Sequence, residues 1–381
     1  MMSSYFPAMK MASKFSVDAD DMCTVHGHAG NLSRASVLEG IRKITRSRSA
    51  CQRKQLVTIA DFGTADGRGS LSLINEVIDI IRTDLGKEQA IVVYYNDQPM
   101  NDFNLLSKII GGFEQKSSLS AAENIYPVMV PRSMYEQCLP DSSIDLAVSS
   151  GATHYLSKHV CQIQNGVFMG EANTHEQELM REQGKADWRN FVIARGRELK
   201  PGGVLVTINA SLDGENNVSS QIDKGFQHFG SFVTDMAREG VLTQEEYLAI
   251  NFPSHYMRTT VDFKEPFTST VPEVKELGLE MVSITPRKHY LEHPLYDVVR
   301  KDDTEKLNYA KRIVAMVYPW FHHAIHGGLS DSRTEDEKQF IIEEYFQRLQ
   351  EYASAHSDHK PFLTSTEVVI RKRSNIVLTQ A

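Results

Sequence analysis

Three short stretches combine residue types that can hold a small molecule. The first is D-F-G-T-A-D-G-R-G, from Asp61 to Gly69. Its glycines let the backbone approach a ligand closely, and a helix following it would offer unpaired N–H groups. No G-x-x-x-x-G-K-[ST] pattern can be drawn through it, so it is not a phosphate-binding P-loop. As a dinucleotide fingerprint it is poor. The spacing Gly67-x-Gly69-x-x ends in Ser72, and no strand-end acid follows at about 20 residues. The plainer reading is an ordinary tight turn between a strand and a helix. The second stretch ends at Asp97, 36 residues after Asp61. A carboxylate at a strand end can accept two hydrogen bonds from the vicinal hydroxyls of a ribose. The third is Ser149–Ser150–Gly151. Such small residues leave room above a sheet, and the missing G-x-S-x-G elbow argues against a serine hydrolase.

These residues need elements to position them. LVTIAD (56–61) reads as a buried strand, the glycines as a turn, and SLSLINEVIDIIR as a helix with Leu71, Ile74, Ile78 and Ile81 on one face. AIVVYY (90–95), a weaker run around Ile125–Val130, SIDLAVSS (143–150) and VLVTINA (204–210) continue the strands. DWRNFVIARGREL (187–199) reads as an amphipathic helix, and KPGG (200–203) as a turn. Strands alternating with helices predict an α/β fold, a doubly wound, Rossmann-like parallel sheet with helices on both faces. In such a sheet, ligands bind beyond the carboxyl ends of the strands, where the three stretches lie. After about residue 211 the rhythm becomes helical, with Leu279–Thr285 and TSTEVVIRK (364–372) as late strands. The expected organisation is an arm (1–30), a core (31–211), a helical cap in two parts (212–278 and 287–361), a core strand between them (279–286), and a final strand and tail (362–381).

A glycine turn and a strand-end acid, with no phosphate cradle, suit a nucleoside that lacks a pyrophosphate. S-adenosylmethionine (SAM) is such a ligand. The glycine spacing disfavours an NAD-dependent oxidoreductase. Composition restricts the alternatives further. Of 381 residues, 41% are apolar and 24% charged, as in an ordinary globular protein of two or three domains' length, and the net charge is −8. That charge gives no general case for nucleic acid or a membrane surface. The opening MMSSYFPAMKMASKF has no apolar segment of a signal peptide. Cys23, Cys51, Cys138 and Cys161 have no C-x-x-C spacing, which suggests reduced thiols and a cytoplasmic location. His322 and His326 are spaced as a zinc pair could be, but with no third ligand they read as a surface or partly buried histidine cluster. No metal is expected. The basic run Arg42–Arg53 lacks interleaved aromatics and reads as a solvated helix end.

Colinear segments then carry a family resemblance. IADFGTADGRGS, YYNDQPMNDFN (94–104), PRSMYEQCLPDSSIDLAVSSGATHYLSK (131–158), FVIARGRELKPGGVLV (191–206) and FVTDMAREGVLTQEEYLAINFPSHY (232–256) together resemble the SABATH methyltransferases. These enzymes use SAM to methylate carboxyl groups of small acids and, in some members, ring nitrogens. The resemblance implies a class I methyltransferase sheet with an inserted cap. It implies that Asp61 and Gly63 lie by the methionine end of SAM, that Gly67 also contacts the cofactor, and that Asp97, with Gln98 beside it, holds the ribose. Ser133 and Met134 would flank the adenine, and Ser149 and Ser150 would sit under the methyl donor. Gly151, His154, Tyr155, Phe226, Tyr256 and Phe362 would form the acceptor pocket. The plainer reading of the last three is core packing.

The departures fall on that pocket. The family's Y-A-x-N-S-x-x-Q motif is similar to His28–Ala35, with Ala35 where the family has the carboxylate-holding Gln. Tyr155 stands in place of a Trp, and Gly151 in place of a pocket Tyr. His154, Tyr155 and an inward Arg34 are the replacement donors to consider. The implied reaction is methyl transfer from SAM to a small hydrophobic or aromatic acid, giving a methyl ester and S-adenosyl-L-homocysteine (SAH). A carboxylate is already ionised at pH 7, so no general base is needed and the protein only positions. Two alternatives stay open: an N- or O-methyltransferase with His154 as base, and a non-catalytic SAM-binding protein. The implied partner is a small carboxylic acid, and relatives are often homodimers.

Overall fold

The computed structural model describes residues 19–49, 51–52, 55–113, 118–119, 124–212, 227–250, 255–268, 271–290, 302–357 and 362–374. For 19–31, 227–228, 288–290, 316, 319–320 and 362–363 it describes the backbone alone. Among the described residues, seven strands form one sheet: β1 (Val57–Phe62), β2 (Ile91–Asp97), β3 (Ile125–Pro131), β4 (Ile144–Ser150), β5 (Leu199–Ala210), β6 (Leu279–Tyr290) and β7 (Phe362–Lys372). Their order is β3-β2-β1-β4-β5-β7-β6. The first five are parallel, and β7 runs antiparallel to both β5 and β6. The order reverses between β1 and β4, the switch point at which doubly wound sheets open a crevice. β1 and β4 are buried along their length, which is why both read as continuous apolar runs.

Helices cover both faces. α1 (Ala19–Ser47) and α2 (Arg68–Leu85) close one face through Val37, Ile41, Leu71, Ile74, Ile78 and Ile81. α3 (Phe103–Ile110) adds Leu106 and Ile110 to that cluster. α4 (Thr174–Glu198) closes the other face through Trp188, Phe191 and Val192. The helical part comprises α5 (Gln227–Arg238), α6 (Gln244–Ala249), α7 (Thr260–Lys264), α8 (Pro272–Glu276), α9 (Asp303–Gly328) and α10 (Glu335–Ala355). α5, α6, α9 and α10 share their own core, with Phe229, Met236, Val314, Phe321 and Tyr345 at its centre.

Three expectations are corrected. Residues 19–30, expected in an irregular arm, are helical and belong to α1. Gly27 and Gly30 interrupt the apolar period there, and glycine is a weak helix former, so the pattern looked irregular. KPGG is not a boundary before β5 but a bulge inside it. The register with β4 steps from Ile144↔Leu199 to Leu146↔Val204, and Gly202 takes φ +84°. α7 and α8, expected in the cap, pack beneath the sheet instead. Phe263, Val271 and Val274 lie against Trp188 and Leu279, and Trp188 Nε1 donates to the Phe263 carbonyl at 3.0 Å.

No helix among the described residues is long and apolar enough to cross a membrane. On α9, His322 stacks over His326 and leans on Tyr318, and His326 meets Glu335 at 3.3 Å. Arg48, in the basic run, pairs with the buried Asp145 at 2.7 Å, below the sheet.

Candidate active site

The carboxyl ends of β1, β2 and β4 bring the predicted residues together. β1 stops because its backbone turns at Gly63, where φ is +75°. The N–H groups of Gly63 and Thr64 both donate to the Asn96 carbonyl, at 2.9 and 3.1 Å. A Cβ on Gly63 would lie 2.1 Å from the Ala152 Cβ, so the turn passes hard against the end of β4. Ala65 is also left-handed, at φ +51°. Its N–H donates to Asp97 Oδ2 at 2.7 Å, and Asn101 Nδ2 donates to its carbonyl at 2.8 Å. Gly67, at φ +84°, starts α2.

Asp97 sits at the rim, half-buried. The Gln98 N–H donates to its Oδ1 at 2.7 Å, so each oxygen has one fixed donor and a further lone pair for a ligand. Burial pushes this carboxyl up to about 6, the Ala65 and Gln98 N–H groups pull it back, and the Asp61 charge adds to the rise. Asp61 lies in register with Tyr95 and is almost wholly buried. Burial raises its pKa, with Ser70 and Thr64 opposing. Its Oδ2 has no hydrogen-bond partner among the described residues. A buried acceptor left open in this way suits a cationic donor such as an α-ammonium.

At the end of β4, Ser149 Oγ donates to the Phe62 carbonyl at 2.9 Å, tying β4 to β1. Ser150 is half-buried beside Ile208 of β5. Gly151 is at φ +71°, and a Cβ there would meet nothing within 4 Å. Beyond it, the His154 and Tyr155 rings stack at 4.6 Å. His255 closes on both, 5.3 Å from His154 and 4.5 Å from Tyr155, through a β-bridge between Tyr155 and His255. Burial, then the charges of His255 and Arg258, hold the His154 imidazole well below its ordinary value. It is therefore neutral at pH 7. His154 Nδ1 is buried without a partner among the described residues. Burial, then the Asp97 charge, raises the Tyr155 phenol above its ordinary value. Arg258, fully buried, steadies this wall by donating to the Thr153 carbonyl at 2.5 Å and to Gly184.

Ser133 and Met134 follow β3. Met134 Sδ lies 3.8 Å from the position a Gly63 Cβ would take, so it borders the glycine turn. Two sequence candidates point elsewhere. Arg34 is half-exposed and paired with Glu76 of α2, its Nε donating at 3.0 Å. It faces the neighbouring helix rather than an acceptor, because the closest opposite charge lies there. The Tyr256 ring packs onto Gly184 and into the cluster of Leu156, Met180 and Leu212. Its hydroxyl donates to Asp262 at 3.1 Å. This is core packing with a satisfied hydroxyl, not an acceptor contact. Phe226 lies outside the described residues, and Phe362 is placed by its backbone alone, opposite Tyr290 in β7. His255, which sequence reasoning missed, reaches the site from a segment with no strand pattern. Only its position next to Tyr256 could have drawn attention.

A doubly wound sheet with this turn, this acid and a helical cap defines a class I, SAM-binding methyltransferase. Comparisons narrow the class. The chain belongs to the SAM dependent carboxyl methyltransferase family, the SABATH family, whose pattern matches residues 23–372. SAM is its cofactor. It is 26% identical over 312 residues to the methyltransferase LUC1 of a Fusarium species, covering 80% of this chain and 81% of that one. It is 27% identical over 212 residues to loganic acid O-methyltransferase of Catharanthus roseus, covering 52% and 55%. The solved structure of a loganic acid methyltransferase with SAH shares the fold, with a TM-score of 0.70 at 19% identity over 97% of this chain and 99% of that one.

Proposed function

We propose that the enzyme transfers a methyl group from SAM to the carboxylate of a small hydrophobic or aromatic acid, releasing a methyl ester and SAH. The observation that carries this is the wall of His154, Tyr155 and His255 beyond the end of β4, with open space at Gly151. In this reading Asp97 and Gln98 hold the ribose, Ser133 and Met134 the adenine, and Asp61, Gly63 and Gly67 the methionine end. Ser149 and Ser150 lie under the methyl group. Gly151, His154 and Tyr155 bound the acceptor, with Phe226 and Phe362 as further pocket residues. No residue removes a proton, since the acceptor arrives ionised. Alignment of carboxylate oxygen and sulfonium methyl can lower the barrier by about 7–11 kcal/mol. The reading includes a cytoplasmic homodimer. A single-chain mass by light scattering would overturn the dimer.

Methyl-labelled SAM offered with aromatic, indolic, terpenoid and fatty acids tests the reaction. A labelled product that base releases as methanol supports the ester. A base-stable product overturns it in favour of nitrogen or hydroxyl methylation, the second reading. The buried Nδ1 of His154, without a partner among the described residues, is the proton acceptor that alternative would use, although its lowered pKa makes it a weak base.

Tyr155→Phe tests the wall. Losing one hydroxyl donor to a charged acceptor costs about 1.5–3 kcal/mol, so kcat/KM for the acceptor is expected to fall about 10- to 100-fold. The KM for SAM should hold. Unchanged acceptor kinetics would remove Tyr155 from the clamp.

A further inference from the structure

Between β3 and β4 the chain from Ser133 to Leu139 has no regular hydrogen-bond ladder of its own, yet in the proposed reading it carries both adenine contacts. Its backbone is held by two side chains from the last turn of α4. Arg195 Nη1 donates to the Met134 carbonyl at 2.7 Å, and Nη2 donates to the Glu136 carbonyl at 2.9 Å. Glu198 Oε1 accepts from the N–H groups of Cys138 and Leu139, at 2.5 and 3.0 Å. The two side chains pair with each other, Arg195 Nε to Glu198 Oε2 at 2.6 Å, and both are 0% exposed. The guanidinium also lies 3.8 Å over the ring of Phe62, the residue before Gly63. Phe62 in turn accepts from Ser149. One ion pair thus fastens the loop after β3 to the ends of β1 and β4.

A buried ion pair is weak evidence of stabilisation, because desolvation offsets much of the attraction and an apolar replacement is often as stable. What this pair adds is geometry. A planar fork can satisfy two carbonyls and a carboxylate while stacking on an aromatic ring, which an ammonium cannot. We propose that Arg195 and Glu198 are positioning residues that pre-set the 133–139 loop for the adenine of SAM. The inference rests on the assignment of Ser133 and Met134 to the adenine. It predicts that the pair governs cofactor recognition, and adenine recognition in particular, without touching the cofactor.

The test uses Arg195→Lys and Glu198→Gln, with calorimetric titration of SAH and of S-inosylhomocysteine, which differs only in the purine. Circular dichroism melting identifies folded variants. Should Arg195→Lys not fold, the isosteric Glu198→Gln carries the test. Loosening the loop by one charge-assisted hydrogen bond is expected to weaken SAH about tenfold. The inosine analogue should lose much less, so the preference for adenine shrinks. Equal weakening of both ligands, or no weakening in a folded variant, overturns the inference. Ser133→Ala and Met134→Ala separate the two failures. If they weaken SAH while the pair variants do not, only the role of the pair falls. If they leave SAH binding unchanged, the adenine assignment itself fails, and the role of the pair with it.

Discussion

Asp97→Ala is expected to raise the KM for SAM about 100-fold, with a smaller change in kcat at saturating SAM. The carboxylate is oriented by two backbone N–H groups at 2.7 Å, and in the proposed reading its remaining lone pairs would accept from the vicinal ribose hydroxyls. Two hydrogen bonds to a charged acceptor contribute about 1.5 kcal/mol each at the low end, which gives that factor. Asp97→Asn should fall between, since its amide offers one acceptor. Unchanged SAM binding in Asp97→Ala would sink the ribose assignment. The same residue sets a pH dependence. Its pKa is pushed up to about 6, so the acceptor form is lost as pH falls through that value. The KM for SAM should climb between pH 7 and pH 5 in the native enzyme and stay flat in Asp97→Asn. A flat native profile would contradict the role. The linkage sign for stability is opposite to that of a salt-bridged acid. The empty folded protein binds the Asp97 proton more readily than the unfolded chain. Asp97 therefore lowers stability as pH rises from the ordinary carboxylate range through 6.

The strand-end half of the candidate site was legible in sequence because its positions are local. Asp61, Gly63, Asp97, Ser149 and Ser150 all sit where a strand ends, and buried parallel strands announce themselves as apolar runs. The wall of His154, Tyr155 and His255 was not, because it is assembled across distance. Tyr256 and His255 are neighbours, yet one turns into the core and the other to the wall. A single residue of strand-like backbone reverses the side-chain direction, and no periodicity records it. Arg34 illustrates a related limit. A basic residue on a helix can face either way, and Glu76, 42 positions along the chain, decides which. The KPGG bulge and the sheet-facing α7 and α8 were likewise determined by packing partners far away in sequence.

Gly63→Ala should be the most damaging single methyl group at the turn. An alanine there must hold φ +75°, and its Cβ would overlap that of Ala152, 2.1 Å away. Left-handed backbone costs a non-glycine residue roughly 1–2 kcal/mol, and forcing volume into a packed site costs roughly 1–3 more. The obstructing atom is attached directly to backbone, so no side-chain rotation relieves the overlap. The melting temperature should fall by roughly 5 °C or more, and SAH affinity should fall with it as the turn shifts. The double variant Gly63→Ala/Ala152→Gly removes the overlap and leaves only the backbone strain. It should recover more than half of the lost stability. No recovery would show that the contact with Ala152 is not the cause.

The order of strands also bears on how the chain matures during synthesis. β6 is finished some 70 residues before β7 emerges, yet among the described residues β7 is its sole neighbour in the sheet. Until the ribosome has delivered β7, β6 has no native edge to join, while the five parallel strands can already assemble. Chaperone demand should peak late, in nascent chains that hold β6 without β7. A stop codon after residue 357 would remove one strand from the sequence and two from the sheet.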